Sequence, residues 1–337
     1  MKPNITIITP TYNQGPFIAD CIESVLAQTY PNWEMIIIDD HSTDDTSKIV
    51  PQYMKDEKRV RYIRHTRNWG VSKLRDTYNE ALQKAQGEYV AILEGDDMWP
   101  KDKLETQLKA FDSQKVVLAY GDWVIIDKTN RGFYIGSYNK PIHQLNNIPR
   151  ESIFKLFAQL DFSIIPVTVM IRKSALDEIG GFQSMSEYPF IDIPTIFTLA
   201  RIGEFKYQQY ILGYYRKHAG STWYDYAKKT KTNFRNEIQY VLHRHMGGVS
   251  REVQKNIMPG NSDRRLESDF LHSIIFAKKS DIRVLAKKIL DQKQGNIKIQ
   301  LLAFISIIFP QLADSSLRMK FMVDHFIYSF FKQRHHE

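Results

Sequence analysis

Apolar and polar positions alternate along the first half of the chain in the pattern of βαβ units, which build a parallel sheet. NITIIT (Asn4 to Thr9) predicts a first strand, followed by a helix over about Pro16 to Gln28. EMIIIDD (Glu34 to Asp40) predicts a second strand, apolar throughout, as a strand covered on both faces should be. HSTDDTSKIV then offers capping residues and a helix start. VRYIRH predicts a third strand, and VSKLRDTYNEALQKAQG a helix that stops at Gly87. EYVAILEGDD predicts a fourth strand that runs straight into acidic residues. Further strand-like runs are VVLAYGDW, VIIDK and TVMIRK, followed by the pair Gly180 and Gly181 and a helix-like run from about Ile193 to Ile202. From Lys228 the periodicity turns helical, with basic faces. NIKIQLLAFISIIF (Asn296 to Phe309) is strongly apolar there, and FMVDHFIYSFFKQR (Phe321 to Arg334) mixes aromatics with cations.

Composition sharpens this division. The 337 residues are 43% hydrophobic and 25% charged, an ordinary globular balance. From Lys228 onward there are 20 Lys and Arg against 10 Asp and Glu, whereas the first 227 residues hold 26 against 28. All five tryptophans also precede Lys228. Two regions therefore join near residue 226: an α/β region over 1–225 and a helical, basic region over 226–337. A single cysteine, Cys21, excludes an internal disulfide framework and suits a reducing compartment. No apolar run reaches the roughly 18 residues of a membrane span, and the first strand is too short for a signal segment. A cytoplasmic location is expected.

Open α/β sheets bind ligands at the carboxyl ends of their strands, so the polar residues there carry the chemistry. The first strand ends in TPTYNQ and the second in Asp39 and Asp40, which can cap the next helix or accept hydrogen bonds from a base or ribose. The fourth ends in Glu94, Gly95, Asp96 and Asp97. Three carboxylates in four residues repel one another and need a counter-charge. Hard oxygen ligands suit Mg²⁺ or Mn²⁺, which can bridge a diphosphate and neutralise a leaving group. The same residues could instead cap a solvated helix.

The order TPTYNQGPFIADCIESVLAQTYPNWEMIIIDDHSTDDT, then RNWGVSKLRDTYNEAL, then GEYVAILEGDDMWPKDKLETQ resembles family 2 glycosyltransferases of the GT-A fold. It extends over roughly residues 3 to 220. The resemblance implies a Rossmann-like, mostly parallel sheet flanked by helices and an inverting transfer from a nucleotide sugar, expected to be UDP-linked. It places Pro10, Thr11 and Tyr12 around the base, Asp40 with Asp39 beside it on uracil or its equivalent, and Arg75 on the nucleotide. EGDD falls on the DXD motif, with Glu94 where an aspartate is usual. Glu94 and Asp96 are expected on the nucleotide side and Asp96 and Asp97 on the metal. After GGF (Gly180 to Phe182), Asp192 falls on the family's catalytic base, with Ile191 where glutamate is usual and Glu187 in reserve. GYYRKHAGST resembles the YRxH segment, which implies His218 as a metal ligand and Arg216 or Lys217 near phosphate.

Family acceptors are often lipid-linked glycans in surface polysaccharide synthesis. The basic tail accordingly suggests an acceptor-contacting subdomain or peripheral contact with the inner membrane face. Nothing resembles a nucleic-acid module. A sugar nucleotidyltransferase would carry a glycine- and arginine-rich first loop, which TPTYNQG is not. A non-catalytic, nucleotide-binding relative remains the alternative, because Glu94 and Ile191 depart from the family pattern.

Overall fold

The computed structural model describes residues 4–136, 164–185, 188–218, 220–222 and 226. The chain divides into two compact units, Met1–Ile257 and Met258–Glu337. All described residues lie in the first. The expected helical basic segment lies outside them, Tyr226 excepted, as does Glu187.

Among the described residues eight strands form one sheet: β1 (Ile5–Thr11), β2 (Trp33–Asp39), β3 (Val60–Arg64), β4 (Tyr89–Ile92), β5 (Val116–Ile126), β6 (Gly132–Gly136), β7 (Met170–Arg172) and β8 (Glu204–Arg216). The order β3-β2-β1-β4 is parallel throughout, the arrangement expected from the alternating pattern. β7 then pairs antiparallel with β4 and with β5, while β5 pairs antiparallel with β6 and parallel with β8. The sheet is thus mostly parallel where the motif-bearing strands lie and mixed beyond them.

Every residue of β1 and β2 is buried, which explains their mostly apolar sequence. Side chains alternate across the sheet. Met35 and Ile37 join one core with Ile18, Cys21, Ile22 and Val25 of α1 (Ile18–Leu26) and Val50 of α2 (Thr46–Asp56). Ile36 and Ile38 join the other with Tyr78 and Leu82 of α3 (Leu74–Lys84) and with Leu176 of α5 (Lys173–Glu178). Ile193, Ile196 and Phe197 of α6 (Asp192–Leu199) complete that second core. Between them in sequence, α4 is the short helix Lys103–Leu108. In α1 the buried apolar positions fall at i, i+3, i+4 and i+7, one face of a helix.

Three expectations need correction. Gly87 does not stop α3, which ends at Lys84 with Ala85 already extended. Gly87 instead lies against β1, where a Cβ would sit 2.4 Å from the Thr6 backbone nitrogen. VVLAYGDW and VIIDK are one strand, β5, because β8 runs beside its whole length through register shifts that absorb the irregular middle. The helix expected to reach Ile202 ends at Leu199, where Gly203 turns the chain into β8.

Candidate active site

The parallel register brings Pro10 opposite Ile38 and Thr11 opposite Asp39, so β1 and β2 end level with each other. Beyond them Asn13 takes a left-handed conformation (φ 53°), tolerable for asparagine. Its Oδ1 accepts from Thr43 N at 2.8 Å, and its own N donates to Ser42 Oγ at 2.9 Å. These bonds fasten the β1 loop to the β2 loop. Pro10 and Thr11 are buried, while Tyr12 stands 45% exposed at the rim.

The two aspartates after β2 have separate surroundings. Asp39 is wholly buried: Oδ1 accepts from Ser42 N (2.8 Å) and Ser42 Oγ (2.5 Å), and Oδ2 accepts from Tyr62 Oη (2.5 Å). Arg64 Nε lies 3.5 Å from Oδ2. Asp40 faces the loop before α3, its Oδ1 accepting from Trp69 N and its Oδ2 from Gly70 N, both at 2.8 Å. Arg75, on the first turn of α3, is exposed.

The acidic turn after β4 is held under tension by charge. Ligand-type oxygens of Glu94, Asp96 and Asp97 lie within 4.8 Å of one another. Gly95 makes the close approach possible, since a Cβ there would fall 2.6 Å from Thr11 Oγ1. Burial, reinforced by Asp96, raises the Glu94 carboxyl to about 8; burial, Asp96 and Glu94 also push Asp97 well above the usual carboxylate range. Tyr78 Oη donates to Glu94 Oε1 at 3.1 Å, and Arg216 N donates to Asp97 Oδ1 at 2.8 Å. Asp97 Oδ2 is buried with no hydrogen-bond partner. A buried carboxylate oxygen left bare is costly, and a cation bound there would remove the cost. Three hard-oxygen donors with one orphan among them fit a divalent cation.

Two residues expected near phosphate and metal fall here, in different roles. His218 Nε2 lies 2.9 Å from Asp96 Oδ2, and its ring packs on Phe17 with centroids 4.7 Å apart. Imidazole and carboxylate are therefore paired with each other at the edge of the acidic turn. Arg216, by contrast, is 0% exposed, so its guanidinium cannot meet phosphate from solvent. Nε donates to Asp96 O (2.6 Å), Nη1 to Asp127 O (3.0 Å) and Asn130 Oδ1 (2.5 Å), and Nη2 to Asp20 Oδ2 (3.3 Å). Its role is to brace the turn from behind.

Asp192 opens α6, accepting from Tyr188 Oη at 3.0 Å, and burial raises its carboxyl above the ordinary value. Its charge adds, after burial and Asp96, to the raised state of Glu94. Burial first, then Asp97, Glu94, Asp96 and Asp192, raise the Tyr215 hydroxyl. Tyr215, Tyr78 and Tyr188 were not singled out from sequence. Tyr78 has the spacing of a core position on α3, and Tyr215 ends the stretch YILGYY of β8, where nothing sets it apart from a packing residue. The two surface cavities that stand out, of about 300 and 770 Å³, lie away from this turn. The smaller is bordered by Arg59 and Arg61, already committed to Glu57 and Glu34.

An open α/β sheet with an acidic turn after its fourth strand, level with the loops after β1 and β2, defines a GT-A-type fold. The family model "Glycosyl transferase family 2" matches residues 6–180, just over half of the chain, and the chain belongs to that family. It is 49% identical over 108 residues to Bacillus subtilis TuaG, provisionally named as a teichuronic acid biosynthesis glycosyltransferase; the alignment covers 32% of this chain and 42% of TuaG. The chain spans less than half the length of the first curated relatives it matches. Among solved structures it resembles S. aureus TarS in complex with UDP, at TM-score 0.56, 16% identity and coverage of 99% and 92% of the two chains. It also resembles the mannosyltransferase PcManGT from Pyrobaculum calidifontis in complex with GDP-Man and Mn²⁺, at TM-score 0.51, 18% identity and coverage of 96% and 86%. Among the described residues no helix is long and apolar enough to cross a membrane.

Proposed function

We propose that the chain is a metal-dependent, inverting glycosyltransferase. It moves a sugar from a nucleotide-sugar donor, UDP-linked, to a hydroxyl of a glycan or lipid-linked acceptor in surface polysaccharide synthesis. The observation that carries this reading is the buried, unpartnered Oδ2 of Asp97 within the acidic turn. A divalent cation, Mg²⁺ or Mn²⁺, held by Asp97 and Asp96 with His218, would supply positive charge to the departing diphosphate. Pro10, Thr11 and Tyr12 wall the base site. Asp40 and Asp39 order its polar edge, Arg75 reaches from α3 toward the nucleotide, and Glu94 and Asp96 face its ribose and phosphate side. Asp192 takes the proton from the acceptor hydroxyl as that oxygen attacks the anomeric carbon, and Tyr188 Oη orients it. A raised carboxyl pKa makes Asp192 a stronger base once ionised. The acceptor class draws support from the naming of TuaG, and the UDP preference from the sequence resemblance and the UDP complex of TarS. Work at the cytoplasmic face of the membrane, with the region after residue 225 contacting acceptor or lipid, belongs to the same proposal.

Calorimetric titration of UDP and of GDP, with and without Mn²⁺, tests the reading. UDP binding that requires the metal and is lost in Asp97→Ala supports it. Failure of both nucleotides to bind under either condition overturns it. Metal-dependent binding with no turnover on any acceptor would favour the second reading, a nucleotide-binding relative, to which Glu94 and Ile191 point.

A further inference from the structure

A second cluster of titratable groups lies around His65, one residue beyond β3. The residue is only 5% exposed, and its ring has a carboxylate on each side. Nδ1 lies 2.8 Å from Asp40 Oδ1, and Nε2 lies 3.2 Å from Glu80 Oε2 on α3. The ring stacks on Trp69, with centroids 3.7 Å apart and planes 20° from parallel. Its main chain is fixed as well, the N donating to Asp39 O at 2.9 Å and the O lying 3.1 Å from His41 Nδ1. Two cations complete the surroundings. Arg64 precedes it and pairs with Asp39, and Lys84 Nζ stands 3.9 Å from Glu80 Oε1.

A carboxylate only accepts, so each ring nitrogen must carry a proton to bond its neighbour. A ring with both protons satisfies Asp40 and Glu80 together; a neutral ring turns a lone pair toward one of them. Asp40 also accepts from Trp69 N and Gly70 N. One carboxylate therefore joins the end of β2, the loop Asn68–Gly70 and, through the imidazole, α3, which carries Arg75.

We propose that His65, carrying both ring protons, is a positioning residue of the donor site, and that nucleotide affinity falls as the ring loses its second proton. It fixes Asp40, the loop and α3 in one arrangement without touching the nucleotide itself. The inference rests on Asp40 being a nucleotide-binding residue, as proposed above.

The test compares UDP affinity of the full-length wild type and Glu80→Gln, in Mn²⁺, between about pH 5 and pH 8. In the variant the amide can donate to an unprotonated Nε2, so a neutral ring keeps both bonds. Titration of the acidic turn is common to both proteins and cancels in the ratio. The wild-type affinity relative to Glu80→Gln should fall about fivefold across that range, the difference between a charge-assisted and a neutral hydrogen bond. His65→Gln should bind UDP more weakly than wild type at the acid end and equally at the alkaline end. A flat ratio, or a His65→Gln defect of the same size at every pH, overturns the proposal. Failure of the wild type to bind nucleotide at any pH overturns the donor-site reading itself, and the inference with it.

Discussion

Glu94→Gln removes one charge from the acidic turn while keeping its shape and the acceptor for Tyr78. The Glu94 carboxyl is held at about 8, against 4.5 for an unperturbed glutamate, chiefly by burial and then by Asp96. A raised native pKa means that the folded state keeps a proton that the unfolded chain has released. The stability contributed by Glu94 is therefore intact below about pH 4.5 and is lost as pH rises through about 8. At about 1.4 kcal/mol per pH unit the loss is bounded near 5 kcal/mol. Water reaching the partly exposed side chain screens the charge, which brings the expected loss to about 2 kcal/mol. Without metal, the glutamine variant should match wild type near pH 4.5 and exceed its stability by about 2 kcal/mol near pH 9. Urea unfolding followed by tryptophan emission suits the measurement. All five tryptophans precede Lys228, so the signal reports the unit that carries the turn. Saturating Mn²⁺ should shrink the gain, because a bound cation already offsets the repulsion. A gain of the same size at both pH values, or a loss near pH 9, would refute the electrostatic account of the turn.

Two further predictions concern residues on either side of that turn. Asp192→Asn should lower kcat by about 10² to 10⁴-fold with UDP affinity nearly unchanged. In the wild type, kcat/KM should climb with pH as the raised Asp192 carboxyl ionises, and near-normal turnover by the variant would remove Asp192 as the base. Arg216→Met should destabilise the chain by about 2 kcal/mol, since it leaves the partly exposed Asp20 and three acceptors, Asp96 O, Asp127 O and Asn130 Oδ1, without their donor. Mn²⁺ affinity, read by electron paramagnetic resonance, should fall as well; unchanged affinity in a folded variant would show that Arg216 does not shape the turn.

The parallel half of the fold was legible because burial on both faces imposes a local signature. β1 and β2 are mostly apolar and buried throughout, and the candidate site residues stand at their ends. The later half was legible only in part: VVLAYGDW, VIIDK and TVMIRK predict β5 and β7, whereas β6, β8 and the antiparallel pairing of β7 with β4 and β5 were not expected. β8 exposes Tyr210 and Ile211 at the register shifts opposite Asp122, so its apolar pattern is broken where it would have to be read. β7 is only three residues long. The acidic turn was visible as chemistry, but its counter-charges were not, because nothing local links residue 97 to residue 216. Arg216 shows the limit of reading type from sequence: a cation in a motif next to phosphate ligands suggests phosphate, yet full burial commits it to carbonyl oxygens and Asp20. Asp39 and Asp40 illustrate the same point, since adjacent and identical residues point to different elements.

The family match ends at residue 180, and the candidate site does not. Pro10, Thr11, Tyr12, Asp39, Asp40, Arg75 and the acidic turn all lie within the matched stretch, whereas Asp192, Arg216 and His218 lie beyond it. On the proposed reading the shared stretch builds the donor side, and the later residues supply the base and complete the metal ligands. The division has a folding consequence. Three carboxylates in one turn repel one another in any structure made from the first four strands alone. Pairing of β8 with β5 brings Arg216 N to Asp97 and His218 to Asp96, over sequence separations of 119 and 122 residues. The donor half is therefore the part that the strands specify locally. On the proposed reading the acidic turn waits on a distant strand, which would tie metal binding to complete folding of the sheet.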